Sequence, residues 1–128
     1  MIKMREDFES YKSKNPKIRK LIDYHNEIND YLQKNYNDIM MMEAKQKRII
    51  FLSIKLIDYL SKVQKDLNYR YLSSTRNFEK FAELLSRANE HLKKIQDNPN
   101  DFHTEYIDTI YGSIHEIIRM YIWAEKNP

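Results

Sequence analysis

The chain has 128 residues, of which 41% are hydrophobic and 32% charged, and its formal net charge is +3. This length predicts one domain over residues 1–128, and so small a positive charge does not call for a polyanionic partner. There is one glycine, Gly112, and no cysteine. These counts exclude glycine-rich phosphate loops, dinucleotide-binding fingerprints, disulfides and thiolate metal sites.

Helical periodicity dominates the sequence, and the N-terminal region predicts two helices. Residues 2–13 predict a short charged helix with Phe8 and Tyr11 as its main apolar side chains, and we expect residues 1–15 to dock weakly or be mobile. Pro16 suits the first turn of the second helix, where no backbone N–H is required. That helix runs to about Tyr36, and its apolar stripe consists of Ile18, Leu21, Ile22, Ile28 and Leu32.

The third predicted element is one long central helix, which we expect Asp38 to cap. Its helical spacing continues to residue 72, so about 35 residues would span roughly 50 Å. This is longer than its neighbours, and we expect the helix to overhang the bundle or to break. Its stripe consists of Ile49, Leu52, Leu56, Leu60, Val63 and Leu67.

Two more helices follow. Ser74 is expected to cap the fourth, which stops at Asn98-Pro99, and Asn100 or Asp101 starts the last. We predict an all-α fold, a four-helix antiparallel bundle with a short extra N-terminal helix and one long central helix. The predicted core consists of Ile22, Leu32, Leu56, Leu60, Val63, Leu85, Leu92, Ile110, Ile114 and Ile117.

The sequence contains no recognisable membrane or secretion signal. Charged side chains crowd the first 20 residues and leave no apolar stretch for a signal peptide. The densest apolar run, residues 49–52, is closed by Ser53 and Lys55, well short of the roughly 18 residues that a membrane span needs. We therefore expect a cytoplasmic protein with no membrane partner.

Charge is unevenly distributed along the chain. Residues 1–20 carry a net charge of +4, and residues 100–128 carry −3. The favoured interpretation is two solvated faces whose ends lie near each other. A sharper alternative is that the opposite charges make the chain a polar assembly element.

The sequence does not support a catalytic centre. A dimetal site in a helical bundle needs Glu-x-x-His on two helices, and none of the four histidines has a glutamate three residues before it. His25, His91 and His103 would lie near one end if their helices ran up, up and down, yet the favoured interpretation is a buried His25 with two surface histidines. Asp101, Glu105 and Asp108 share one helix face, which solvent explains. We predict no metal, cofactor, catalytic residue or small-molecule substrate.

Three short segments resemble known families. His91 to Lys94 is similar to the phosphoryl-accepting turn of histidine phosphotransfer domains, although Ile95 stands where that family has a small glycine. Arg19 and His25 resemble the Arg-x(4–6)-His pair of HEPN ribonucleases, although Lys20 replaces the polar residue that usually follows the Arg, and the pair comes early in the chain. Residues 18–21, Ile-Arg-Lys-Leu, are similar to the start of small helical subunits of type III CRISPR effector complexes, which implies nucleic-acid binding.

A basic stripe lies on the long helix. Arg48, Lys55 and Lys62 recur every seven residues and so stack along one side for about 21 Å, with Lys45 and Lys65 near the line. Such a stripe is able to follow a phosphate backbone, with Tyr59 and Tyr69 as stacking surfaces for unpaired bases. Asp58 and Asp66 lie four residues on either side of Lys62, and the competing interpretation is a salt-bridged, solvated face.

Three adjacent methionines, Met40 to Met42, open the predicted long helix. Successive helical residues lie about 100° apart, so all three cannot face the core and at least one should be exposed. Methionine adapts to partner helices, which makes Tyr36, Ile39, Met41 and Met42 the candidate protein-binding residues. The competing interpretation is a frayed helix start or local core filling.

We therefore expect a non-enzymatic helical module for binding or assembly, whose partner is another protein or a second copy. The alternative is a small nucleic-acid-binding subunit that uses the basic stripe, and a more remote one is a ribonuclease centred on Arg19 and His25. Protein association should survive salt and be damaged by a charge at Met41 or Met42. Phosphate-driven binding should weaken with salt and with Lys55→Glu.

Overall fold

The computed structural model describes Phe8 and residues 11–128. Within these residues the chain forms four helices, α1 (Pro16–Asn35), α2 (Glu43–Tyr71), α3 (Thr75–Asp97) and α4 (Thr104–Lys126), and no strand. The predicted all-α class is therefore confirmed for these residues. The helices pack into a bundle around a shared core.

Two helices start where local chemistry predicts. Pro16 occupies the first turn of α1, and the side chain of Asn15 accepts a hydrogen bond from the N–H of Lys17 at 2.9 Å. At the start of α3, Oγ of Ser74 accepts one from the N–H of Asn77 at 3.2 Å. Each cap satisfies a backbone donor that the first helical turn leaves without a partner.

The predicted start of α2 is wrong. Residues 36–41 form turns and α2 begins at Glu43, because Asp38 pairs with Nζ of Lys45 at 3.0 Å instead of capping a helix. From Glu43 the helix is continuous for 29 residues, and it is the longest of the four.

The last helix also starts later than predicted. Residues 98–101 form a turn in which the N–H of Asp101 donates to the carbonyl of Asn98 at 3.0 Å. Neither Asn100 nor Asp101 therefore starts the helix, and α4 begins at Thr104 after His103.

The predicted N-terminal helix over residues 2–13 is not confirmed. Phe8 and residues 11–13 have no helical structure, and the rest of that prediction lies outside the described residues. Phe8 and Ser13 are buried. The N–H of Tyr11 donates to the carbonyl of Phe8 at 3.0 Å, and the two buried side chains dock this part of the chain against the bundle.

All four helices contribute to one apolar core. Nine of the ten predicted core residues are buried. Leu85 is only half-buried, because it lines an open groove with Gln64 of α2 and Phe78 of α3. The core also contains two fully buried tyrosines, Tyr111 and Tyr121. The hydroxyl of each donates a hydrogen bond to an asparagine at 2.6 Å, so neither buried hydroxyl lacks an acceptor.

No helix in the part of the chain that the structure describes is both long and apolar enough to cross a membrane.

Candidate interaction surfaces

The connection between α1 and α2, residues 36–42, presents three large apolar side chains to solvent. Met40 is 51% exposed, Met41 85% and Met42 46%. Because these residues lie in turns and not on a helix, the 100° argument does not apply to them, although the exposure that it predicted is observed. We call residues 36–42 the methionine connection.

The backbone of the methionine connection is held by hydrogen bonds. The N–H groups of Asp38 and Ile39 both donate to the carbonyl of Asn35, at 3.1 and 3.0 Å, and the N–H of Met41 donates to the carbonyl of Asp38 at 2.9 Å. The side-chain amide of Gln46 donates to the carbonyl of Met40 at 3.2 Å. The turn is thus tied to both neighbouring helices.

The candidate protein-binding residues divide into anchors and exposed side chains. The sequence pattern predicts Ile39 as a protein-binding residue. Ile39 is only 1% exposed and belongs to the core, so its side chain is not available to a partner. Tyr36 is half-buried and packs against the same core. Met41 and Met42 are exposed, and Met40 joins them.

The predicted basic stripe lies along the seam between α1 and α2, where carboxylates face it. Glu27 of α1 lies 3.6 Å from the guanidinium of Arg48 and 3.9 Å from Nζ of Lys55, and Asp38 pairs with Lys45. Lys62 and Lys65 form no ion pair with any described residue. Much of the stripe is therefore locally neutralised.

Asp66 was expected to neutralise Lys62, but it pairs with Lys17 of α1 at 2.8 Å. The hydrogen bond from Lys17 and the charge of its ammonium group lower the pKa of Asp66 below its ordinary value. Both groups are exposed, so the pair contributes little to stability.

The two candidate stacking tyrosines have different surroundings. Tyr59 is half-buried, its ring meets that of Tyr24 edge-on with centroids 5.4 Å apart, and Nζ of Lys20 lies 4.7 Å from its centroid. Lys55 lies 5.1 Å from the Tyr24 centroid. Tyr69 is 91% exposed. The seam thus has a lysine–tyrosine cluster at its centre.

The three histidines that could have converged do not. His25 is fully buried, whereas His91 and His103 both contact the ring of Tyr106, with centroids 5.9 and 5.2 Å away. No group of three or more metal-ligating side chains occurs among the described residues.

His25 instead meets a residue that the sequence analysis did not single out. Its Nε2 lies 3.0 Å from Nδ1 of His115, and the ring of Phe8 packs on both imidazoles with centroids 4.9 Å away. Asn26 Oδ1 accepts from the N–H of Phe8 at 3.3 Å, which ties the N-terminal segment to α1. His115 lies four residues after Tyr111 and three before Ile118, and both of these neighbours on its helix face are buried, so a signal of burial was available in the sequence.

Arg19 and His25 have different surroundings, and His91 is hydrogen-bonded within its own helix. Arg19 is exposed and donates to the carbonyl of Ser13 at 2.9 Å, whereas His25 is inside the core. Nδ1 of His91 lies 2.8 Å from the carbonyl of Arg87, and Ile95 is buried.

One carboxylate, that of Glu125, joins the N-terminal segment to the end of α4. Glu125 accepts hydrogen bonds from the hydroxyls of Tyr11, Ser13 and Tyr71, the latter two at 2.9 and 3.3 Å. Partial burial opposes the ionised form, but the hydrogen bonds outweigh it and the pKa of Glu125 is lowered. Lys126 lies over the ring of Tyr11. Residues 11–13 therefore meet the end of α4.

Comparison with known proteins adds no assignment to these surfaces. The chain matches no protein-family model, and no curated protein or solved structure is significantly similar to it. The functional conclusion consequently depends on the side chains and their geometry.

Proposed function

We propose that this chain is a non-enzymatic binding module that contacts another protein, or a second copy of itself, through the methionine connection. The observation that carries the proposal is the 85% exposure of Met41 between two further exposed methionines. The short links between helices favour an antiparallel bundle, which would present this connection at one end.

Methionine side chains suit such a contact. They are unbranched and polarisable, and they adapt to apolar partner surfaces, helices in particular. Clustered exposed apolar side chains commonly mark interaction sites on soluble proteins. The hydrogen bonds within the methionine connection and the buried anchor Ile39 hold its backbone before binding, which lowers the entropic cost of association.

The proposal assigns no catalytic role to the histidines. His25 is surrounded by the rings of Phe8, Tyr111 and His115, so a substrate would have to open the core to reach it. A general base needs access to the proton that it removes.

Nucleic-acid binding is the second candidate. It is favoured by Lys62 and Lys65, which have no ion pair with the described residues, and by the cluster in which Lys20 lies against Tyr59. It is opposed by Glu27, which faces Arg48 and Lys55. Binding to phosphates would fall steeply with salt, whereas an apolar contact would not.

Size-exclusion chromatography with light scattering separates the two candidates. The purified protein is run at low and high salt with absorbance recorded at 260 and 280 nm. A protein oligomer that persists in high salt supports the proposal, and co-purifying nucleic acid that salt removes contradicts it. A clean monomer narrows the proposal to contact with a different protein.

Matched variants then locate the contact. Met41→Glu places a charge on the methionine connection, and Tyr69→Glu places the same charge on an equally exposed apolar residue at the other end of α2. Met41→Glu is expected to dissociate the oligomer and Tyr69→Glu to leave it intact.

A further inference from the structure

Half of the sulfur atoms in this chain belong to the exposed side chains of the methionine connection. The chain has six methionines and no cysteine, so thioethers are its only sulfur groups. Three of them are the exposed side chains of the methionine connection, whereas Met120 is partly buried against the core. Met1 and Met4 lie outside the described residues.

We propose that the methionine connection is an oxidative modification site, at which peroxides convert Met40, Met41 and Met42 to sulfoxides and thereby switch off the protein contact. The loss of the protein contact depends on the proposed function, whereas the formation of sulfoxides does not. Susceptibility of a thioether follows its exposure, and Met41 is 85% exposed.

The reaction needs a peroxide and no cofactor. A sulfur lone pair attacks one peroxide oxygen, the O–O bond breaks and an S–O bond forms. The sulfur loses two electrons, and with hydrogen peroxide the departing hydroxide takes the proton of the new sulfur-bound hydroxyl and leaves as water. The product is a polar, chiral sulfoxide, which reductases of the methionine sulfoxide class return to the thioether.

The position of the three methionines confines the effect to the surface. Their thioethers point outward from a turn whose backbone is held by Met41 N–H to Asp38 carbonyl and by Gln46 to Met40 carbonyl. The buried anchor of the turn is Ile39, which has no sulfur to oxidise. Oxidation should therefore change the polarity of the surface and leave the fold intact.

The first test is peptide mass spectrometry after limited treatment with hydrogen peroxide. Oxygen is expected on Met40, Met41 and Met42 at rates on the order of fivefold or more above that of Met120. Circular dichroism should stay unchanged, while retention on a phenyl matrix should fall because apolar surface is lost. Oxidation of Met120 at an equal rate would overturn the inference, and so would unchanged retention of the selectively oxidised protein.

A variant that keeps the apolar surface but lacks its sulfur is the matched control. The triple variant Met40→Leu, Met41→Leu and Met42→Leu should keep its retention on the phenyl matrix after peroxide treatment. Loss of retention in this variant would overturn the inference, since the change would then arise elsewhere. These readouts require no partner, so the proposed function can fail in the Met41→Glu comparison while the oxidation site stands.

Discussion

Nε2 of His25 lies 3.0 Å from Nδ1 of His115, and this contact joins α1 to α4 inside the core. In this hydrogen bond a nitrogen of one imidazole donates and a nitrogen of the other accepts. Phe8 covers both rings. The arrangement ties the N-terminal segment, the first helix and the last helix together. It gives His25 a structural role in the core.

His115→Ala is expected to lower the free energy of unfolding by about 2–4 kcal/mol, because it leaves a cavity and removes a buried hydrogen-bond partner of His25. Urea denaturation measures the change. His103→Ala is the control, since His103 is exposed, and should cost no more than about 0.5 kcal/mol. Equal losses in the two variants would show that the histidine pair does not stabilise the fold. A double-mutant cycle with His25→Ala isolates the coupling between the two rings.

Two neighbours in the methionine connection are expected to respond in opposite ways. Ile39→Ala should cost about 2–4 kcal/mol of stability, because Ile39 is only 1% exposed. Met41→Ala should stay within about 0.5 kcal/mol, because its side chain lies in solvent. Thermal and urea unfolding of both variants provide the measurement. A large loss from Met41→Ala would mean that Met41 fills the core and cannot serve as a contact surface.

Glu125 should make stability depend on acid. Its pKa is lowered by hydrogen bonds from Tyr11, Ser13 and Tyr71, so the stabilisation is complete above the unfolded pKa of about 4.3 and is lost as pH falls through the folded pKa. Glu125→Gln should cost about 1 kcal/mol at neutral pH, and the gap to wild type should shrink in acid.

The test of Glu125 is urea denaturation from neutral to acid pH. Glu116→Gln is a suitable control, since Glu116 forms a surface ion pair with Arg119 at 3.2 Å, and should change stability by less than about 0.5 kcal/mol. A gap between wild type and Glu125→Gln that widens in acid would have the wrong sign for a lowered pKa.

The seam between α1 and α2 should bind RNA weakly, because Glu27 faces both Arg48 and Lys55. Glu27→Gln is expected to raise affinity for a labelled single-stranded RNA at low salt by about fivefold at most. Fluorescence anisotropy at two salt concentrations measures this. Tight binding by wild type that falls steeply with salt and is lost in Lys62→Glu would instead favour the nucleic-acid function.

Local signals in the sequence predicted helix starts only where their partners are also local. Ser74 caps α3 because its hydroxyl reaches the N–H of Asn77, three residues away. Asp38 has the same capping chemistry, but its carboxylate pairs with Lys45 of the next helix, and the N-cap of α2 is Met42, four residues later than expected. The competing partner lies seven residues further along the chain, outside the reach of a helix cap, which is about two or three residues.

For the candidate sites, too, the sequence predicted the arrangement within one helix but not the contacts between helices. Helical spacing correctly placed Arg48, Lys55 and Lys62 on one helix, but it could not show that Glu27 of α1 faces two of them. The contact of His25 with His115 joins residues 90 positions apart, beyond any spacing rule.

The central claim is contact with another protein through the methionine connection. Its most direct test is quantitative affinity purification from the native cell with wild type, Met41→Glu and Tyr69→Glu, each expressed beside a differently tagged second copy. The claim predicts that wild type and Tyr69→Glu retain at least one protein, either another protein or the second copy, after nuclease and high salt, and that Met41→Glu loses it. The same retained proteins in all three samples would contradict it.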